Sequence, residues 1–212
     1  MADRNPTNPK LTGKGRRTRL RIIEAAAELM AGNGVAGTTI EDVRLAAGVS
    51  TSQVYHYFAD KRALILAVVD FQSDAVVGGQ EPMFTRIDSM AGLRAWRDFL
   101  VEHQRQRQCR GGCPIGALGS ELAEIDAGAR SDLARAFRRW ERGIRTGLGN
   151  MQARGELRPG ADAGNLAMTV LSTLQGALLM TQLERDTKPL EIALDGVLDY
   201  VESFTVAVRT EG

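Results

Sequence analysis

Cysteine, histidine, proline and aromatic residues are all scarce in this chain of 212 residues, numbering two, two, six and 5 %. Two cysteines cannot build a disulfide framework. Even with His103, Cys109 and Cys113 offer only three ligands at a loop junction, which is weak support for a metal site. A redox-sensing pair Cys109–Cys113 stays open, beside the plainer reading in which Cys113 packs under the next helix and Cys109 is incidental. No apolar run approaches the roughly 18 residues of a membrane span, so no membrane partner is expected. The N-terminus also lacks the apolar core of a signal peptide, which points to the cytoplasm. No alternating strand pattern stands out. No Ser or Cys sits in a motif that would set it beside a base, so neither catalysis nor a cofactor is expected.

Charge is present but unevenly spread. The net +1 combines +4 over residues 1–62 (10 basic, 6 acidic) with −3 over the remainder (17 basic, 20 acidic). The first 21 residues hold 7 basic groups against Asp3. A basic front end suits phosphate contact and counterion release. Residues 1–15, with Pro6, Pro9, Gly13 and Gly15, read as a flexible arm.

Helical periodicity fills the rest. A first helix over 16–33 ends at Gly34, and a fourth runs from 60 to 77 before Gly78-Gly79. A loop with Pro82 leads to a helix over 88–108. The turn Cys109–Pro114 precedes a short helix over 115–125, followed by helices over 128–153, 162–185 and 189–208. The fold expected is all-α with about nine helices. It comprises a basic arm (1–15), an N-terminal three-helix domain (16–76) and a C-terminal helical bundle (77–212).

The most telling segment is Thr38–Phe58, within which two short helices are joined by a tight turn. Thr38 with Glu41, and Ser50 with Gln53, each have capping-box spacing, and Gly48 suits a left-handed helix end. Ile40, Val43, Ala47 and Val54 can hold the pair together. That leaves Thr51, Ser52, Gln53, Tyr55 and Tyr57 as hydrogen-bonding groups on barely two turns, the character of a recognition helix. Gln53 can pair bidentately with adenine. For His56, a DNA contact and packing beneath the motif are equally open.

These residues resemble the TetR family of transcriptional regulators. The resemblance runs from Arg16-Arg17-Thr18-Arg19 through Ile22–Ala26, Gly34, Thr38–Val43 and Ala47–Ser50 to Val54–Leu64, without a gap. A second stretch, Gly112–Leu118 with Ser120-Glu121-Leu122, is similar to the branch containing LmrA and YxaF. The resemblance implies a helix-turn-helix over 39–58, with Thr39 and Lys61 at phosphate-contact positions. Arg16, Arg17 and Arg19 are further candidates for phosphate or the minor groove. It also implies a homodimer, a double-stranded DNA operator and a small hydrophobic effector.

For the effector, inward residues on several C-terminal helices offer a wall: Trp96, Leu100, Trp140, Ile144 and Leu171, with His103 and Gln175 as polar anchors. Glycines 143, 147, 149 and 176 are expected to leave gaps there. The same aromatic stripe also fits plain core. The seam Leu190, Leu194, Val197, Val201, Phe204 and Val208, with Leu174 and Leu178, suggests a four-helix dimer interface. Two other readings remain open at this point: a metabolite-binding protein or enzyme with a vestigial DNA-binding domain, and a cysteine-based sensor.

Overall fold

The structure, a computed structural model, describes residues 11–206. Ten α-helices and one π-helical turn account for its regular structure. No strand occurs among the described residues, apart from an isolated bridge between Leu157 and Thr205. The chain parts into two compact units, one ending at Gln72 and the other beginning at Ser73.

The first unit holds α1 (Gly13–Gly37), α2 (Ile40–Ala47), α3 (Thr51–Tyr57) and α4 (Lys61–Ser73). α1 starts inside the segment expected to be a flexible arm, because the Thr12 side chain caps it by accepting the Gly15 N–H at 3.1 Å. Residues 1–10 of that arm lie outside the described residues. Gly34 does break the first helix, at φ 74° and ψ 165°, a conformation left to glycine. The core joins Ile22, Ile23, Ala26 and Met30 of α1 to Val43, Val54 and Phe58.

The second unit opens with a π-helical turn (Asp74–Gly78) that continues the chain of α4, then the single turn α5 (Glu81–Phe84). The longer helices follow: α6 (Met90–Gln106), α7 (Pro114–Leu122), α8 (Ala127–Ala153), α9 (Ala163–Glu184) and α10 (Lys188–Glu202). Ser89, Asp126 and Asp162 cap α6, α8 and α9 through their side chains. Leu93, Trp96, Trp140, Ile144, Leu148, Leu174, Leu190 and Val201 are among the buried side chains that form the core.

Several expectations are corrected here. The last helix stops at Glu202 rather than 208, because the chain turns back against residues 156–158. The Arg158 N–H donates to the Phe204 carbonyl at 2.9 Å and the Val206 N–H to the Glu156 carbonyl at 2.8 Å. Phe204 lies under the Arg158 guanidinium, 4.5 Å away, and Val208 falls outside the described residues. The expectation that no apolar run approaches a membrane span in length is also corrected, at α9. That helix has the length and the mean hydropathy (1.3) of a membrane span, with 44 % of that window buried within the chain.

Two of the α8 glycines, Gly143 and Gly147, do not leave the gaps expected of them. A Cβ at Gly147 would lie 2.5 Å from the Ile87 carbonyl oxygen, and one at Gly143 2.5 Å from the Phe84 ring. These two glycines admit close packing of the 84–87 segment. Gly149 and Gly176 have no neighbour within 4 Å of a Cβ, and Gly176 is exposed.

Candidate functional site

The helix-turn-helix is set by two reciprocal caps and one glycine. Thr39, not Thr38, caps α2: the Asp42 N–H donates to Thr39 Oγ1 at 3.1 Å, and the Thr39 N–H to Asp42 Oδ2 at 2.9 Å. Thr38 is instead buried and donates its hydroxyl to the Gly34 carbonyl at 2.8 Å. The Thr39 hydroxyl and N–H hold the Asp42 carboxyl below its ordinary pKa. Gly48 ends α2 in the left-handed region at φ 60° and turns the chain into α3. There the Gln53 N–H donates to Ser50 Oγ at 3.2 Å, and the Ser50 N–H to Gln53 Oε1 at 2.8 Å.

α3 is anchored by Val54, wholly buried, and by Phe58 just beyond its end. At about 100° per residue, the side opposite Val54 carries Ser52 and His56, flanked by Gln53 and Tyr55, with Thr51 and Tyr57 nearer the buried side. Thr51, Ser52, Gln53, Tyr55 and His56 are exposed. His56 therefore does not pack beneath the motif. It stands outward with its ring edge-on to Tyr57, centroids 4.9 Å apart, one turn after Ser52, and joins the candidate contact set. Tyr57 is half-buried, its hydroxyl 3.5 Å from where a Gly15 Cβ would be. It braces the first turn of α1.

The basic candidates divide by what already holds them. Arg16 donates to the Leu11 carbonyl at 2.8 Å, and Arg17 is exposed. Arg19 lies over the Phe58 ring, 5.2 Å away, which ties it to packing. Lys61 donates one hydrogen bond to the Val35 carbonyl at 2.9 Å; an ammonium has three donors, so two remain.

In the second unit, Trp96, Leu100, Trp140, Ile144 and Leu171 are all buried, and the Trp96 indole donates to Gln80 Oε1 at 3.0 Å. His103 is not an inward anchor. It is exposed, stacked on Phe99 at 6.1 Å, and burial of part of its ring, with Arg107 nearby, draws its pKa down. Gln175 does reach a hollow of about 530 Å³ between α7, α8 and α9, whose wall also includes Phe137, Gly119 and Leu179. Cys109 and Cys113 are both buried and unbridged. Among the described residues, no group of three or more His, Cys, Asp or Glu could hold a metal ion.

The residues expected at the dimer interface lie on the inward sides of their helices. Leu174, Leu178, Val197 and Val201 are buried within one chain, and Phe204 is half-buried. The outward faces of α9 and α10 carry other apolar side chains: Met168, Leu179, Met180 and Leu183 on the first, Ile192 and Tyr200 on the second.

Comparison with known proteins agrees with this geometry. The family description "Bacterial regulatory proteins, tetR family" matches residues 22–68, and "Tetracyclin repressor-like, C-terminal domain" matches residues 89–197. The HTH-type transcriptional regulator Rv0196 of Mycobacterium tuberculosis is 30 % identical over 188 residues, 82 % of this chain and 89 % of that protein. YxaF of Bacillus subtilis, also an HTH-type transcriptional regulator, is 22 % identical over 92 % of this chain and 97 % of its own length. A TetR transcriptional regulator from Chloroflexus aurantiacus, solved as a crystal structure, superposes with a TM-score of 0.79 at 28 % identity, covering 92 % and 98 % of the two chains. A helix-turn-helix with both caps formed, an all-helical second unit, and matches across both units have one reading: the chain belongs to the TetR family of DNA-binding transcriptional regulators.

Proposed function

We propose that the chain acts as a homodimeric repressor that leaves its operator when a small hydrophobic molecule binds the second unit. Each α3 lies in a major groove of a palindromic site, with Ser52, Gln53 and His56 toward base edges and Thr51 and Tyr55 beside them. Thr39, Lys61, Arg16 and Arg17 serve phosphates, which fix position and register, while base edges specify. Bound across a promoter in the cytoplasm, the dimer blocks transcription.

The observation that carries the DNA reading is the outward face of α3: a seven-residue helix, capped at its start and anchored by Val54, whose exposed residues are nearly all polar. Dimerisation rests on the outward faces of α9 and α10. Exposed apolar side chains recur there at 168, 179, 180 and 183, then at 192 and 200, and Gly176 and Gly196 leave open space beside them. Exposed apolar side chains gathered on two neighbouring helices mark an interaction surface, and two helices from each copy form a four-helix interface. Effector release requires the ligand to prefer the conformation with lower DNA affinity, since equal binding to both shifts nothing.

The test is light scattering together with binding stoichiometry. The wild type is expected to be a dimer at micromolar concentration and to bind one operator duplex as two chains. Leu183→Glu places a charge on the stripe at a residue 68 % exposed, so it spares the fold and yields monomers. A folded wild-type monomer that binds its operator one chain at a time would overturn the dimer reading.

A further inference from the structure

The hollow between α7, α8 and α9 is built for a narrower class of molecule than "hydrophobic". No Asp, Glu, Lys or Arg lines it. Of its polar groups, the Ser120 hydroxyl already donates to the Gly116 carbonyl at 3.1 Å, and the Gln182 amide oxygen lies against Gly112. Burial pushes the Cys113 thiol above its ordinary pKa, outweighing the N–H groups of Gly116 and Ile115, so at neutral pH it stands as a neutral thiol. The Gln175 amide faces the Cys113 sulfur closely enough to draw that pKa down, but sulfur is a weak acceptor, and the buried Nε2 finds no other partner. The amide oxygen lies against Gly116, where a Cβ would be 3.1 Å away. A buried amide with only a sulfur to face is under-satisfied and costly, and here it belongs to a residue in the wall of the hollow.

Two features shape the remaining wall. Phe137 lies near-parallel to Trp140 (interplanar angle 7°, centroids 6.5 Å apart), which fixes the ring at the hollow's edge. Gly119 leaves α7 bare, with nothing within 4 Å of a Cβ. Leu179 both lines the hollow and stands 55 % exposed on the outward stripe of α9. The open side of the hollow therefore borders the face assigned above to the second copy.

We propose that this hollow is the effector seat, that it takes an uncharged, mostly apolar molecule bearing a hydrogen-bond acceptor for Gln175 Nε2, and that the second copy closes its open side. This rests on the effector and dimer readings above. It adds the location, the ligand's charge and polar group, and a shared residue, Leu179, through which occupancy and subunit contact act on one another. An anionic ligand is excluded, because its charge would lose hydration with no cationic partner in the wall.

The experiment titrates full-length protein with a neutral diethylaminocoumarin, whose lactone carbonyl is the acceptor, and with its carboxylate derivative, reading fluorescence. The neutral probe is expected to bind and the carboxylate at least about tenfold more weakly. Gln175→Leu should weaken the neutral probe about tenfold by removing the donor, and Gly119→Trp should abolish binding by filling the hollow, with melting temperature and operator affinity kept in both. Leu183→Glu, which lies on the stripe but does not line the hollow, should weaken the probe about tenfold once it is monomeric. Failure of the neutral probe to bind, or stronger binding of the carboxylate, overturns the ligand class. Unchanged binding in both Gln175→Leu and Gly119→Trp moves the seat elsewhere while leaving an effector-responsive dimer intact. Unchanged binding in a confirmed Leu183→Glu monomer removes the closing role of the second copy.

Discussion

Gln53 holds two positions at once, and they can be separated. Its Oε1 accepts the Ser50 N–H at 2.8 Å, closing the capping box of α3. An amide oxygen has two lone pairs, so the same atom can still accept an adenine amino hydrogen while Nε2 donates to the ring nitrogen. Gln53→Ala removes both roles. It should lower stability by about 0.5–1 kcal/mol, as for one capping hydrogen bond. It should also lose about 1–3 kcal/mol of discrimination at one operator position. Gln53→Glu keeps the acceptor, and a carboxylate in the first turn of a helix is favoured, but it has no N–H for adenine. Its stability should match the wild type, while its preference at one adenine falls about 5- to 150-fold. The assay is anisotropy against an operator selected from a random pool and all its single-base variants, with melting curves alongside. If Gln53→Glu keeps the wild-type preference at every position, Gln53 is a cap and nothing more, and α3 docks in another orientation.

Other outcomes follow from named contacts. Lys61→Ala should weaken binding to all sequences about equally and lower the salt slope by about 0.9, read from affinities across a salt series. Gly147→Val should destabilise the protein by about 1–3 kcal/mol or more, because its Cβ would meet the Ile87 carbonyl at 2.5 Å. Gly149→Ala, with nothing within 4 Å, should raise the melting temperature slightly. The Asp42 carboxyl, held below its ordinary pKa by Thr39, stabilises the start of α2 above its unfolded pKa and loses that contribution as pH falls through the folded value. The protection factor of the Thr39 amide, which donates to that carboxylate, should therefore fall on acidification, and Asp42→Asn should flatten that dependence.

The helix-turn-helix was the most legible part of the sequence because its geometry is encoded locally. Ser50 with Gln53 caps α3, and Gly48 takes the one left-handed position. The capping box of α2 shifted by one residue, to Thr39 and Asp42, since adjacent threonines and adjacent acids give periodicity nothing to choose between them. His56 was ambiguous for a similar reason: only the burial of Val54 and Phe58 fixes which side of so short a helix faces out. The inward and outward sides of α9 were hard to tell apart because that helix is apolar on several faces. An apolar seam marks a packed face, and here Leu174, Leu190, Leu194 and Val201 pack within their own chain. Glycines in α8 were read as gaps, although a missing side chain equally admits a close neighbour, as Gly143 and Gly147 do for Phe84 and Ile87. The end of α10 depended on pairing with residues 156–158, far away in sequence and outside any local signal.

The most direct test of the account is the specificity ratio of the full-length protein on DNA, measured by anisotropy at fixed, near-physiological salt. A palindromic duplex recovered from a random pool should bind at least about a thousandfold more tightly than a scrambled duplex of the same composition, as two chains per duplex. Substituting Ser52, Gln53 and His56 together by Ala should collapse that ratio while leaving the weak, salt-dependent binding to scrambled DNA. Equal affinity for selected and scrambled duplexes, or a ratio untouched by the triple substitution, would contradict the claim that α3 reads the operator.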